Sequence, residues 1–290
     1  MSNHAEILKK IMATVKKVPI ISPSANKIIQ VINTDNISIA VIIKIIKKDS
    51  ALTANILKTA NSVFYGGRSE VASLEQAVPL MGIDEIINIT VKNGVSNIFN
   101  SELKGYNSEV GDLWKHDLRT ATISHAIARF SKNFIASEIA FTGGLLHDIG
   151  KAIISSYLGE TSKHIINAID QGKIRGFYEA ERKLLGVDHA QVGFELARHW
   201  NLPDILTSII LYHHTPSKAP DNFKAIVYCV HLGDILAMMT GYGTGADSLS
   251  HPLDSRYTDF FDLSEDDLHQ LVLEIDEKCE MRHDELFDDQ

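Results

Sequence analysis

Residues 143–151 read Gly143-Gly144-Leu145-Leu146-His147-Asp148-Ile149-Gly150-Lys151, an imidazole and a carboxylate side by side at the end of an apolar helical run, with two glycines before them and one after. Adjacent helical residues point about 100° apart, so His147 and Asp148 share an ion only where it lies between their two directions. Further ligands must then arrive from other helices. The sequence offers His116 upstream, and His189, the pair His213-His214, His231 and Asp234 downstream; nine of the thirteen histidines fall between positions 116 and 231. His231 and Asp234 compete for the last ligand position, and spacing leaves both open. Asp112, four residues before His116 and therefore on the same helix face, is a weaker extra candidate. His125, His164 and His199 read as ordinary satisfied polar residues.

Imidazole and carboxylate donors without thiolates suit divalent zinc, iron, manganese or nickel, and a mixed nitrogen and oxygen shell favours an open, catalytic type of site over a closed structural one. Helices that each contribute an inward ligand build metal sites in bundle cores. One or two ions held this way activate water toward an electrophile such as phosphorus. Asp148 and Lys151 are the catalytic candidates, Lys151 lying one turn on, where it can meet a phosphate oxygen.

Outward from this stretch the pattern is helical throughout. Ile7, Ile11, Met12 and Val15 repeat at helical spacing until Val18-Pro19, where the residue before proline leaves the α region. Helical runs follow from Ser24, from Ser38 and from Ser50, then from Ser73 to Met81-Gly82, and from Ile83 to Phe99. From Leu113 onward the helices change character, because metal-binding residues now appear among the apolar ones: 114–132, 136–146, 149–168, 178–185, 188–199, 204–212 and 225–239. No stretch alternates with period two for long enough to make a strand. An all-α, multi-helix bundle is expected. The glycine-rich segment 241–258 reads as a flexible linker, since no strand precedes it as a phosphate loop requires. Ser264 to Asp267 looks like a capping box before a last amphipathic helix carrying Leu268, Leu271, Val272 and Ile275.

Composition narrows the function classes. At 44% apolar residues and a net charge of −9 over 290 residues, the chain is neither disordered nor basic. The acidity sits in the tail: from Gly245 onward there are 15 acidic and 3 basic residues, a net of −12, so the body carries about +3. Direct DNA binding needs a basic face and is not expected. Two cysteines, Cys229 and Cys279, with no CxxC spacing exclude a thiolate zinc site and suit a reducing cytoplasm. The first ten residues lack an apolar core, and the run 37–46 is too short for a bilayer. Neither signal peptide nor membrane span is expected.

His116, then His147-Asp148, then a late acidic residue is similar to the signature of the HD superfamily of metal-dependent phosphohydrolases. A closer resemblance runs over residues 15 to 240: Val18-Pro19, Asp49-Ser50-Ala51-Leu52-Thr53, Ala60-Asn61-Ser62, Ser73-Leu74 with Ala77 and Met81-Gly82, Trp114, Leu145 to Gly150, His189-Ala190 with Val192-Gly193, and Trp200-Asn201-Leu202-Pro203. In this order they resemble the HDOD family, the HD-related output domain of bacterial signalling proteins. The resemblance implies an N-terminal helical subdomain over 1–105 packed on an HD-like metal-site subdomain over 106–240, followed by the glycine-rich loop and acidic helix of 241–290. It implies a cytoplasmic regulatory or output module of bacterial signal transduction, with a signalling partner acting in trans and a nucleotide or other phosphate-containing ligand. Many HDOD members are degenerate at the metal ligands, whereas this chain keeps His116, His147, Asp148, Lys151, His189, His213 and His214, much as in the HD-GYP phosphodiesterases of cyclic-di-GMP. Thr215-Pro216 stands where that family has an acidic residue and Gly-Tyr-Pro, and on this resemblance His231 occupies the late aspartate position. A metal-dependent phosphohydrolase acting on a nucleotide or phosphodiester is therefore the second function, with a cyclic dinucleotide disfavoured.

Overall fold

The computed structural model describes residues 2–19, 21–34, 37–62, 64–65, 71–99, 102–245, 247, 252–264, 266–273 and 275. The described residues form fourteen α-helices: α1 (Ser2–Val15), α2 (Pro23–Ile32), α3 (Ile39–Ile46), α4 (Ser50–Ala60), α5 (Leu74–Met81), α6 (Ile83–Phe99), α7 (Asp112–Ala128), α8 (Ser137–Leu146), α9 (Lys151–Leu158), α10 (Ser162–Asp170), α11 (Phe177–Leu185), α12 (His189–His199), α13 (Asp204–Tyr212) and α14 (Asp221–Met239). Among them there is no strand, only isolated bridges such as Ser131 with Phe261. The all-α class read from the periodicity is the class observed.

Helix boundaries follow local chemistry. Ser22 accepts from the Ala25 amide with Pro23 in the first turn of α2, and Asp49 accepts from the Leu52 amide at the start of α4. Asp188 and Gln191 close a reciprocal capping box on α12. Gly186 ends α11 in the left-handed region at φ 77°. Ser264 and Asp267 form the expected box: the Asp267 amide donates to Ser264 Oγ and the Ser264 amide to Asp267 Oδ2. The run expected over 149–168 breaks at Gly159, which lies at φ 54° between α9 and α10.

The chain divides into two compact units, one of residues 1–20 with 97–263, the other of 21–96 with 264–290. Helix α1 and the segment 241–263 group with the histidine-bearing helices in this division. In the smaller unit α2 packs on α3, and α5 on α3 and α4. Its core takes Ile28, Ile29, Ile42, Ile56 and Val78, all at most 1% exposed.

In the larger unit α7 packs against α8 and α14. Small residues set how closely: a Cβ on Gly144 would lie 2.5 Å from the Ala121 Cα, and one on Gly233 would overlap Ser124. Those contacts draw together the three helices that carry or lead into His116, His147 and Asp234. Helix α14 is, among the described residues, the one long and apolar enough to cross a membrane by length and composition; 72% of that window is buried, so its apolar side chains are used in the core.

The glycine-rich segment does not behave as the expected linker. Gly241 and Gly245 turn the chain at φ 86° and 61°, and Thr244 and Asp247 are fully buried. Arg119 lies over the Tyr242 ring at 3.9 Å and donates from Nε to Thr240 Oγ1. These contacts hold Thr240 and Tyr242 against α7.

Candidate metal centre

Seven of the sequence candidates converge in the larger unit. His116 comes from α7; His147 is the C-terminal cap of α8, with Asp148 just beyond it; His189 opens α12; His213 caps α13, with His214 after it; Asp234 sits within α14. His116, His147, Asp148, His189, His213 and Asp234 are each at most 2% exposed, and His214 is half-buried.

Asp148 is the hinge of the arrangement because its two oxygens face different groups. Oδ2 lies 3.6 Å from His116 Nε2 and 3.6 Å from His147 Nε2. Asp234 Oδ1 completes that side at 3.2 Å from His116 Nε2 and 3.6 Å from His147 Nε2. Oδ1 lies 3.3 Å from His189 Nε2 and 3.5 Å from His213 Nε2, and His214 Nε2 is 2.7 Å from His189 Nε2. Two groups of ligand atoms result, one with His116, Asp117 and His147, the other with His189, His213 and His214, each able to hold a metal ion and each including Asp148.

The rings are aimed by their other nitrogen. Nδ1 of His116 donates to the Tyr242 carbonyl at 2.6 Å, that of His147 to the Gly144 carbonyl at 2.8 Å, and that of His213 to the Ile210 carbonyl at 2.8 Å. A carbonyl only accepts, so these rings carry a proton on Nδ1 and turn Nε2 inward. His189 Nδ1 instead meets the Glu181 carboxylate at 2.8 Å, the carboxylate–histidine pairing that orients metal-bound imidazoles. Glu181 also accepts from the Tyr106 hydroxyl at 2.6 Å and the His189 amide at 2.7 Å. The buried Nε2 atoms of His147 and His213, each 3.5 Å or more from the nearest carboxylate oxygen, make no hydrogen bond. Buried polar atoms are normally satisfied, and imidazole nitrogens converging on a shared carboxylate fit a divalent ion.

Electrostatics agree. Burial works against charge on Asp148 and Asp234, yet the Lys151 ammonium and the imidazoles around Asp148, and His116 and His147 around Asp234, hold both carboxyls well below their ordinary range. Burial likewise opposes protonation of His147 and His189, but Asp148 with Asp234 lifts the first to about 9, and Glu181 with Asp148 lifts the second to about 10. Burial dominates at His213 and pushes it down to about 4. Lys151, 2% exposed, is held between Asp148 Oδ2 at 2.6 Å and Asp247 Oδ2 at 2.7 Å.

Two sequence candidates go elsewhere. His231 donates from Nδ1 to the His213 carbonyl at 2.8 Å and accepts at Nε2 from the Asp254 amide at 3.1 Å, so it braces His213 from behind, and Asp234 alone of that pair faces the cluster. Asp112 accepts from the Glu109 amide at 2.8 Å at the start of α7. Sequence reasoning also passed over Asp117, Glu181 and Asp247, all fully buried beside the cluster. Glu181 left a signal: with Phe177 and Leu185 it falls at i, i+4 and i+8, a carboxylate on the apolar face of α11.

A model of the HDOD domain matches residues 18–216 of this chain. The chain belongs to the HDOD family. A solved HDOD domain protein of unknown function from Geobacter sulfurreducens is 25% identical, with a TM-score of 0.74 and 99% of each chain covered. A solved candidate signal transduction protein from Marinobacter aquaeolei VT8 shares the fold at 20% identity and a TM-score of 0.74, covering 96% of this chain and 64% of that one. An uncharacterized protein of Treponema pallidum (strain Nichols) is 24% identical over 199 residues, which make up 69% of this chain and 38% of that relative. This HDOD chain therefore spans well under half the length of the curated relative it matches.

Proposed function

We propose that this HDOD protein is a bacterial signal-transduction module whose larger unit would hold divalent metal in two ligand groups that share Asp148, and hydrolyse a phosphate ester there. The carrying observation is the convergence of Nε2 atoms from four helices and their ends on the two oxygens of one buried carboxylate. His116, His147, Asp148 and Asp234 would hold one ion; Asp148, His189, His213 and His214 the other. Manganese, iron, zinc and nickel all suit imidazole with carboxylate. When bound, the ions supply Lewis acidity at a phosphoryl oxygen and an activated water at neutral pH. Glu181 orients His189, the Gly144, Ile210 and Tyr242 carbonyls fix the other rings, and Lys151 stands one turn from Asp148 to meet phosphate charge.

A second reading, a sensor that binds a phosphate ligand without turning it over, is favoured by one observation: the Lys151 ammonium is already paired with two carboxylates of its own chain. Metal analysis of the purified protein, with His147→Ala and Asp148→Ala alongside, tests the centre. Turnover of phosphate mono- and diesters by the loaded protein, lost in both variants, is expected. Bound metal with no turnover of any ester would leave the sensor, and no bound metal would overturn both.

A further inference from the structure

Among the clustered ligands His214 is the half-buried one, the rest being buried, so solvent meets the centre along its ring. It opens on a cavity of about 240 Å³ lined by Arg175, Tyr178, Glu179, His214, His231 and Pro252 among others. Tyr178 is fixed in place there. Its ring stands edge-on to His214 with centroids 4.8 Å apart, and Arg182 lies over it at 4.6 Å while bonded to Asp188 at 2.6 Å. Arg175 and Glu179 put one cation and one carboxylate on the wall, the Arg175 backbone amide donating to Glu179 Oε2 at 2.9 Å. An aromatic wall, one charge of each sign and the ring of His214 from the centre make a subsite for a flat organic group.

We infer that this cavity receives the organic part of a phosphomonoester, a heteroaromatic group packed against Tyr178, while its phosphate reaches the centre past His214. The inference rests on the metal centre proposed above. Size narrows the class. Pockets for drug-sized ligands run from about 300 to 1,000 Å³, so about 240 Å³ matches one nucleoside-sized group. A mononucleotide fills that space.

Calorimetry on the full chain loaded with Mn²⁺ tests it, using two probes that cannot be hydrolysed: methylphosphonate, and the methylenephosphonate analogue of AMP. Base–aromatic stacking of the usual strength predicts that the nucleoside probe binds about tenfold tighter or more. Tyr178→Leu should remove most of that ratio and Tyr178→Phe should keep it, with Mn²⁺ uptake intact in both as the control for folding. Equal binding of the two probes, a ratio unchanged in Tyr178→Leu, or cyclic-di-GMP binding tighter than either would overturn the inference. Failure of the wild-type chain to take up Mn²⁺ would instead remove the metal centre itself, a result told apart by the metal titration that precedes the probes.

Discussion

The most exposing perturbation of this core is Lys151→Met. Its ammonium is 2% exposed, 2.6 Å from Asp148 and 2.7 Å from Asp247, and those carboxylates are themselves at most 1% exposed. Methionine fills the stem's volume but leaves two buried anions facing each other without a cation. Removing one partner of a buried pair costs about 3–5 kcal/mol, because the remaining charge is stranded. Asp247→Asn in the same background strands only Asp148, which keeps its imidazoles, so the double variant should recover about 2 kcal/mol, within the usual range for coupled neighbours. The sign with pH is fixed: Lys151 is raised and Asp148 lowered from their ordinary values, so the pair contributes fully from above the ordinary carboxylate range to below the ordinary lysine value, and pH 7 lies inside that window. Urea unfolding of chelated protein at pH 7 reads it out. A Lys151→Met cost under about 1 kcal/mol, or a double variant less stable than the single, would show that Lys151 and Asp247 do not form a pair in solution.

At pH 7 the metal-free protein keeps His147 and His189 protonated, at about 9 and about 10 against an ordinary 6.5; ligation needs neutral rings, so Mn²⁺ binding should release close to two protons, seen as a dependence of the heat on buffer ionisation, and release of none would contradict it. The same shifts mean that chelated protein loses stability as pH rises through 9 to 10, since a raised imidazole contributes fully only below its ordinary value. Gly150→Ala places a Cβ onto the His189 carbonyl oxygen and 2.7 Å from the Gly193 amide nitrogen, both backbone; a loss of about 1–3 kcal/mol or more is expected, and an unchanged denaturation midpoint would show that the α9–α12 contact is looser than described.

The helical class was legible because every apolar run repeats at three- and four-residue steps, and the ligand set because imidazoles crowd into one half of the chain. Two adjacent pairs, His147-Asp148 and His213-His214, lie at helix ends, where each leading histidine bonds back three residues to the carbonyl of Gly144 or Ile210. That local bond is visible in sequence once the helix end is placed. The choice between His231 and Asp234 was not, since three residues apart on α14 they share a face, and only the neighbouring Asp254 amide and His213 carbonyl separate them. Asp247 was hidden for another reason: a polar, glycine-rich stretch predicts exposure, and its burial depends on contacts that Tyr242 makes with Arg119 and His116, more than a hundred residues away.

Asp148 and Asp234 differ in a way that makes the number of ions testable. Asp234 touches only the His116 and His147 side, through Oδ1 at 3.2 and 3.6 Å, whereas Asp148 presents one oxygen to each side. Replacing Asp234 by asparagine removes a charged ligand from one group and leaves His189, His213, His214 and Asp148 untouched, so one of two ions should be lost. The same change at Asp148 weakens both groups, and since both lose their shared anion, neither should load at micromolar metal. Elemental analysis after equilibrium dialysis would then give about two ions per chain for the native protein, one for Asp234→Asn and none for Asp148→Asn. If both variants retained a single ion, Asp148 would be a ligand to one centre only and the bridging arrangement would be wrong.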